Sequence, residues 1–295
     1  DYYKCLSYSE LIKLLVKVKM NDLAGQILEK SLITAEKIEP FSARDDRKKR
    51  AYNSIVDAAL SLNQFDLAIT FANCSENWVK AYNTICSKLI QVGEIQRSVD
   101  FANSLDEDST TYNPRSKAIG SISITLMETG QSKGSLSFAC KVHDPTARYD
   151  TYLELANITW AKQDLSLCEE IIKILDQQQM PTNKEEIFSR SYKTALMFFN
   201  IGNHTRASEY CFNALKLAYI LRSYQKRTHL ENLCVLLVKL GFYEEAFSLI
   251  DEHELGSDFI YPEIFRHLSK DLGTQEVMEN LNEIAISRNE PFISN

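Results

Sequence analysis

The sequence predicts an all-α fold, a solenoid of about eight antiparallel helix pairs. Three observations predict it. Apolar residues recur at steps of three and four along most of the chain, the spacing of one helix face. Glycine is scarce, with 9 in 295 residues and only 6 prolines, which argues against the many tight turns of a sandwich or barrel. Most of the remaining glycines stand in matched contexts: Val92-Gly93, Thr129-Gly130, Ile201-Gly202, Leu240-Gly241 and Leu272-Gly273. Leu62-Asn63 and Lys162-Gln163 have the same surroundings without glycine.

Taking each such residue as position 0, the flanks align. Eight residues upstream stand Ile55, Ile85, Ile122, Leu155, Thr194 and Leu233. Four upstream stand Ala59, Leu89, Leu126, Thr159, Phe198 and Leu237. Offsets −11, −8, −7 and −4 form one stripe of a first helix, A. Offsets +5, +8, +9 and +12 form one stripe of a second helix, B. The residue between them suits a left-handed helix ending. Position +5 is small (Ala68, Ser98, Ser135, Cys168, Ala207, Ala246), which predicts a close crossing of B over A. Position +8 is large (Phe71, Phe101, Phe138, Ile171, Tyr210, Leu249).

The units follow in order. The first turns near Lys19 to Asn21, with Leu11, Ile12, Leu15 and Val18 before it. The others turn at 63, 93, 130, 163, 202, 241 and 273. A period in the thirties with two helices per unit marks a stacked array, in which no unit buries both stripes alone. Residues 39–46, 106–114 and 177–183 read as loops between a B helix and the next A helix. The domain expectation is one array over residues 1–295, with a possible hinge near 177–183.

The aromatics opening helix A (Tyr52, Tyr82, Tyr152), the glycine turn, and the small residues Ala68, Ala207 and Ala246 together resemble the tetratricopeptide-like superfamily, with degenerate repeats. Phe65 and Tyr243, two after the turn, fit as well. The resemblance implies a right-handed α-α superhelix. It also implies a non-catalytic scaffold or adaptor that binds a protein or peptide in a concave groove lined by A helices. Ala51-Tyr52-Asn53-Ser54-Ile55 and Ala81-Tyr82-Asn83-Thr84-Ile85 resemble the opening of pentatricopeptide repeats, which bind single-stranded RNA. That second resemblance would make Asn53 and Asn83 base contacts. It covers only two units.

If A helices line a groove, offsets −13, −10 and −6 face it. Position −13 carries Arg50, Lys80 and Lys117, and position −10 carries Asn53 and Asn83. Cations beside amides suit an acidic peptide or a C-terminal carboxylate, because both donate to carboxylate oxygens. Solvated helix starts are the plain alternative. Trp160, Tyr192 and Phe199 are the candidates for an apolar contact with an amphipathic helix, against simple burial. The run Arg44-Asp45-Asp46-Arg47-Lys48-Lys49-Arg50 reads as the exposed start of a helix.

Other classes fall away. Net charge is −7, which argues against nucleic acid as partner. No apolar run is long enough for a membrane helix. The seven cysteines show no CxxC pair and take packing positions, which points to a reducing cytosol, to neither disulfides nor zinc, and to a cytoplasmic protein. No histidine pair has metal-ligand spacing, and no nucleophile elbow, phosphate loop or dinucleotide fingerprint is present. No cofactor or metal is expected, and the chain is read as no enzyme. The start, Asp1-Tyr2-Tyr3-Lys4, lacks an initiator Met and a signal core, so the chain reads as an excised fragment. An alternative reading is the interaction module of a larger enzyme or secreted bacterial effector.

Overall fold

The structure is a computed structural model. It describes residues 1–39, 46–75, 78–107, 113–178, 181, 183–218, 227–253, 255, 262 and 266. Among them the regular elements are all helical: α1 (Tyr2–Lys17), α2 (Asn21–Glu36), α3 (Arg47–Ser61), α4 (Phe65–Ala72), α5 (Trp78–Gln91), α6 (Ile95–Ser104), α7 (Pro114–Glu128), α8 (Ser132–Ala139), α9 (Pro145–Ala161), α10 (Leu165–Asp176), α11 (Lys184–Asn200), α12 (His204–Ala218), α13 (Arg227–Lys239) and α14 (Tyr243–His253). Odd-numbered helices are the A helices and even-numbered ones the B helices. The expected eighth pair, turning at Gly273, lies outside the described residues. The chain divides into two compact units, Asp1–Asp176 and Gln177–Asn295.

Each A–B turn has the same hydrogen bonds. In the second pair, Asn63 N–H donates to Leu60 O at 3.2 Å and Gln64 N–H to Ala59 O at 2.9 Å. This is the Schellman arrangement, in which the amide of a left-handed residue and the amide after it satisfy the last open carbonyls. It recurs at Lys19, Gly93, Gly130, Gln163, Gly202 and Gly241, all with positive φ. Three of the seven, Lys19, Asn63 and Gln163, have a Cβ, so each of those turns carries a cost of about 1 kcal/mol that the surrounding packing offsets.

Helix starts are also fixed locally. Asn113 Oδ1 accepts from Ser116 N–H, Asp144 Oδ1 from Ala147 N–H, and Asn183 Oδ1 from Glu185 N–H. Pro114 and Pro145 open α7 and α9, where no amide is needed.

The predicted close crossing is present. Offsets −7 and +5 face each other, near enough for side chains to bond the opposing backbone. Ser98 Oγ donates to Cys86 O at 3.1 Å, Ser123 Oγ to Ser135 O at 2.8 Å, Cys168 Sγ to Ala156 O at 3.6 Å and Cys234 Sγ to Ala246 O at 3.8 Å. All six named +5 residues are buried. Around this seam the aromatics stack in pairs, Tyr52 on Phe71 and Phe198 on Tyr210 with centroids 5.4 and 5.6 Å apart.

In the first unit each A helix packs on the next A helix, α1 on α3 through to α7 on α9. The B helices pack on the following A helix as well, from α2 on α3 to α8 on α9. Among the described residues no B helix packs on the next B helix. Arg97 of α6 reaches across that gap to Asp66 of α4, with Nη2 2.6 Å from Oδ1. The A–A seams are small and polar. Ser9 Oγ donates to Ser54 O at 3.0 Å, Thr125 Oγ1 to Ser87 Oγ at 2.9 Å, and Ser121 Oγ to Asn83 O at 3.1 Å. Gly120 faces Thr151 so closely that a Cβ there would stand 2.5 Å from Thr151 Oγ1. Lys162 Nζ donates to Met127 O and Glu128 O, capping the C-terminal end of α7 with a cation.

In the second unit α11 pairs with α12 and α13 with α14, and α13 packs on α11 and α12. Its core is Phe188, Leu215, Leu230, Leu233, Leu236 and Leu237 with their neighbours.

Candidate functional site

The polar candidates lie on α3, α5 and α7, three A helices packed in succession. Arg50 and Lys80 stand exposed in the first turns of α3 and α5, and Lys117 is half-buried in the first turn of α7. Asn53 and Asn83, one turn later, are half-buried. The Asn83 side-chain oxygen is buried and has no hydrogen-bond partner. Gly120 and Leu153, at the same offset in the next two A helices, are buried. On α5 and α7 the −10 column therefore runs along the seam between A helices rather than along an open face. The reason is the A-on-A packing itself, which turns that column toward the following helix.

One turn after Asn53 stands Asp57, exposed on the same helix. Burial by surrounding structure raises its carboxyl above the ordinary range, Lys13 and Lys80 pull it down, and Glu10 pushes it up again. The carboxylate is thus open to water yet crowded, with charges arriving from α1 and α5 on either side. Lys13 itself holds Glu10 at 2.8 Å. Asp57, Lys13 and Glu10 were absent from the sequence candidates. Asp57 was visible at −6, but its neighbours on α1 depend on a register that has no glycine to anchor it.

The apolar candidates divide between the units. Trp160, near the end of α9 in the first unit, is exposed. Tyr192 and Phe199, both on α11 in the second unit, are half-buried and pack against that unit's core. The Phe199 ring meets His204 edge-on with centroids 5.5 Å apart. Burial, and then Cys211, push the Tyr192 phenol up.

Of the basic run, residues 44 and 45 lie outside the described residues. The rest opens α3: Lys49 lies 3.3 Å from Asp46, and Lys48 Nζ donates to Glu36 O at 3.1 Å. Cys5, Cys86, Cys168, Cys211 and Cys234 are buried, while Cys74 and Cys140 are exposed. Burial pushes the thiols of Cys86, Cys211 and Cys234 up to about 12, which keeps them protonated at neutral pH. Among the described residues no group of three or more His, Cys, Asp or Glu side chains is placed to hold a metal ion. None of the described helices is long and apolar enough to cross a membrane.

The fold so far defines a class: among the described residues, an all-helical protein whose helices pack against their neighbours. No protein-family model matches the chain, and no curated protein matches it.

Proposed function

We propose that this chain is a non-catalytic, tetratricopeptide-like scaffold: a right-handed solenoid that holds an acidic protein segment along its A helices, in a reducing cytoplasm. One observation carries the reading. Successive A helices of the first unit pack on one another while the B helices do not, so residues at one offset on α3, α5 and α7 share a continuous face. Joining A to A with no matching B-to-B packing favours curvature toward that face, the geometry of a concave binding surface. Arg50, Lys80 and Lys117 stand on it at one register. Asp57 moderates the positive charge, which leaves a face that favours a carboxylate ligand without a large unpaired positive field.

The test is direct. A fluorescent hexaglutamate peptide with a free C-terminal carboxylate is titrated onto the protein and onto the Arg50→Glu, Lys80→Glu, Lys117→Glu triple variant. The triple variant weakens binding at least about tenfold if the face is the site, with circular dichroism confirming that the helices persist. Equal affinity for both proteins removes this face. A labelled single-stranded oligouridine serves as the second arm. If it binds more tightly than the peptide, with a steep salt dependence, the RNA reading replaces the peptide reading.

A further inference from the structure

The A face of the first unit changes sign along its length. At offset −13 stand Arg50 on α3, Lys80 on α5 and Lys117 on α7, and then Asp150 on α9. At −9, about one turn further along each helix, Ser54, Thr84 and Ser121 are followed by Glu154, which is exposed. Helix α5 contains no acidic residue, and α7 has one only at its last position, Glu128. The three hydroxyls are already committed: Ser54 Oγ donates to Ala51 O, Thr84 Oγ1 to Lys80 O and Ser121 Oγ to Asn83 O. Charge at −13, and at −9 on α9, therefore dominates what this face can select.

The spacing of these charges selects a backbone conformation. Seam contacts keep the helices close to register: Ser121 at −9 meets Asn83 at −10, and Gly120 at −10 meets Thr151 at −12. Residues at one offset thus follow one another at about the distance between packed helices, roughly 8–10 Å. A β-strand rises about 3.3 Å per residue but turns side chains three apart to opposite faces. A polyproline II chain has three residues per turn and rises about 3.1 Å per residue, so every third side chain points the same way at intervals of about 9 Å.

Resting on the reading of this face as the ligand surface, we propose that its ligand is a polyproline II segment with acidic side chains at three positions spaced by three and a basic side chain at the next such position, at one end of the series. The acids meet Arg50, Lys80 and Lys117, and the basic side chain meets Asp150 and Glu154. A uniformly acidic segment of that length sets its last carboxylate against α9, where like charges repel. A basic residue moved inward opposes a cation and leaves a carboxylate facing Asp150 and Glu154. The order of charges, not their sum, is what the face reads.

Titration of the full chain with labelled ten-residue peptides, blocked at both ends, tests the proposal. The ordered peptide has glutamate at its first, fourth and seventh positions, lysine at the tenth and proline between; a second peptide runs in the reverse order. The better of the two should bind at least about tenfold more tightly than a peptide of identical composition with lysine at the seventh position. It should also bind more tightly than one with the same charges spaced by two. Glu154→Lys, at an exposed position, should move the preference from the ordered peptide toward one with glutamate in all four places, with circular dichroism confirming the helices. Equal affinity for ordered and permuted peptides, in a protein that does bind hexaglutamate, overturns this inference and leaves the face as the site. Equal affinity at both spacings overturns the polyproline II conformation, and an unchanged preference in Glu154→Lys overturns the role of α9. A protein that binds none of these peptides overturns the ligand surface itself.

Discussion

The first unit joins its A helices with hydroxyls and a glycine; the second fills its space with rings and leucines. Between α5 and α7 the contacts are Ser87, Ser121 and Thr125, and between α7 and α9 they are Gly120 and Thr151. In the second unit Phe212 of α12 meets Phe242, which lies between α13 and α14, with ring centroids 4.6 Å apart. Both regions share one turn geometry and one A–B crossing. The hairpin geometry is therefore common to both regions, while the material between hairpins differs. Small polar residues bring backbones close and fix their register by hydrogen bonds. Large apolar residues gain more burial and fix less.

Three substitutions probe the difference, beginning with the largest effect. Phe198→Ala removes a buried ring from the second unit and should cost about 3–5 kcal/mol in urea unfolding. A loss below about 1 kcal/mol would show that the Phe198–Tyr210 stack within the α11–α12 hairpin is dispensable. Gly120→Ala drives a methyl group into Thr151 and should cost about 1–3 kcal/mol despite the better helix propensity of alanine. Adding Thr151→Ala should restore most of that loss, because the obstructing atom is Thr151 Oγ1, whose own bond runs only to Ala147 O on the same helix. Additive losses in the double variant would mean that the two helices do not approach as closely as described.

Asp57→Asn has the smallest effect, and it depends on pH. The folded carboxyl is raised, chiefly by burial, so the native state holds its proton more tightly than the unfolded chain. Stability contributed by the protonated form is lost as pH rises from the ordinary carboxylate range through the raised value, and the curve is flat above it. The asparagine variant should lack this decline when urea midpoints are compared across that window. Solvent exposure of the side chain keeps the difference small.

Much of the hairpin geometry was legible in the sequence. Gly93, Gly130, Gly202 and Gly241 announce left-handed turns, and the aligned flanks extend the inference to Asn63 and Gln163. The small residues at +5 announce the crossing. What lies between hairpins was less legible. Period alone says which residues share a stripe, not which neighbour that stripe meets. Leu11 and Val18 read as part of the same apolar stripe as Ile12 and Leu15, yet only the latter two are buried. The charge environment of Asp57 draws on three helices, so no single unit displays it. The polar candidates stand at one register by sequence, and whether they bind together is a matter for the peptide titration.

The crossing has a kinetic meaning as well. Cys86 and Ser98, Ser123 and Ser135, Ala156 and Cys168, and Cys234 and Ala246 are each separated by twelve positions. Closing a loop of about that length takes on the order of 10–100 ns. Each hairpin can thus test its own tightest contact without waiting for distant chain to arrive. The search for the native state is divided into short local trials, and topologies of this kind lie at the fast end of folding rates.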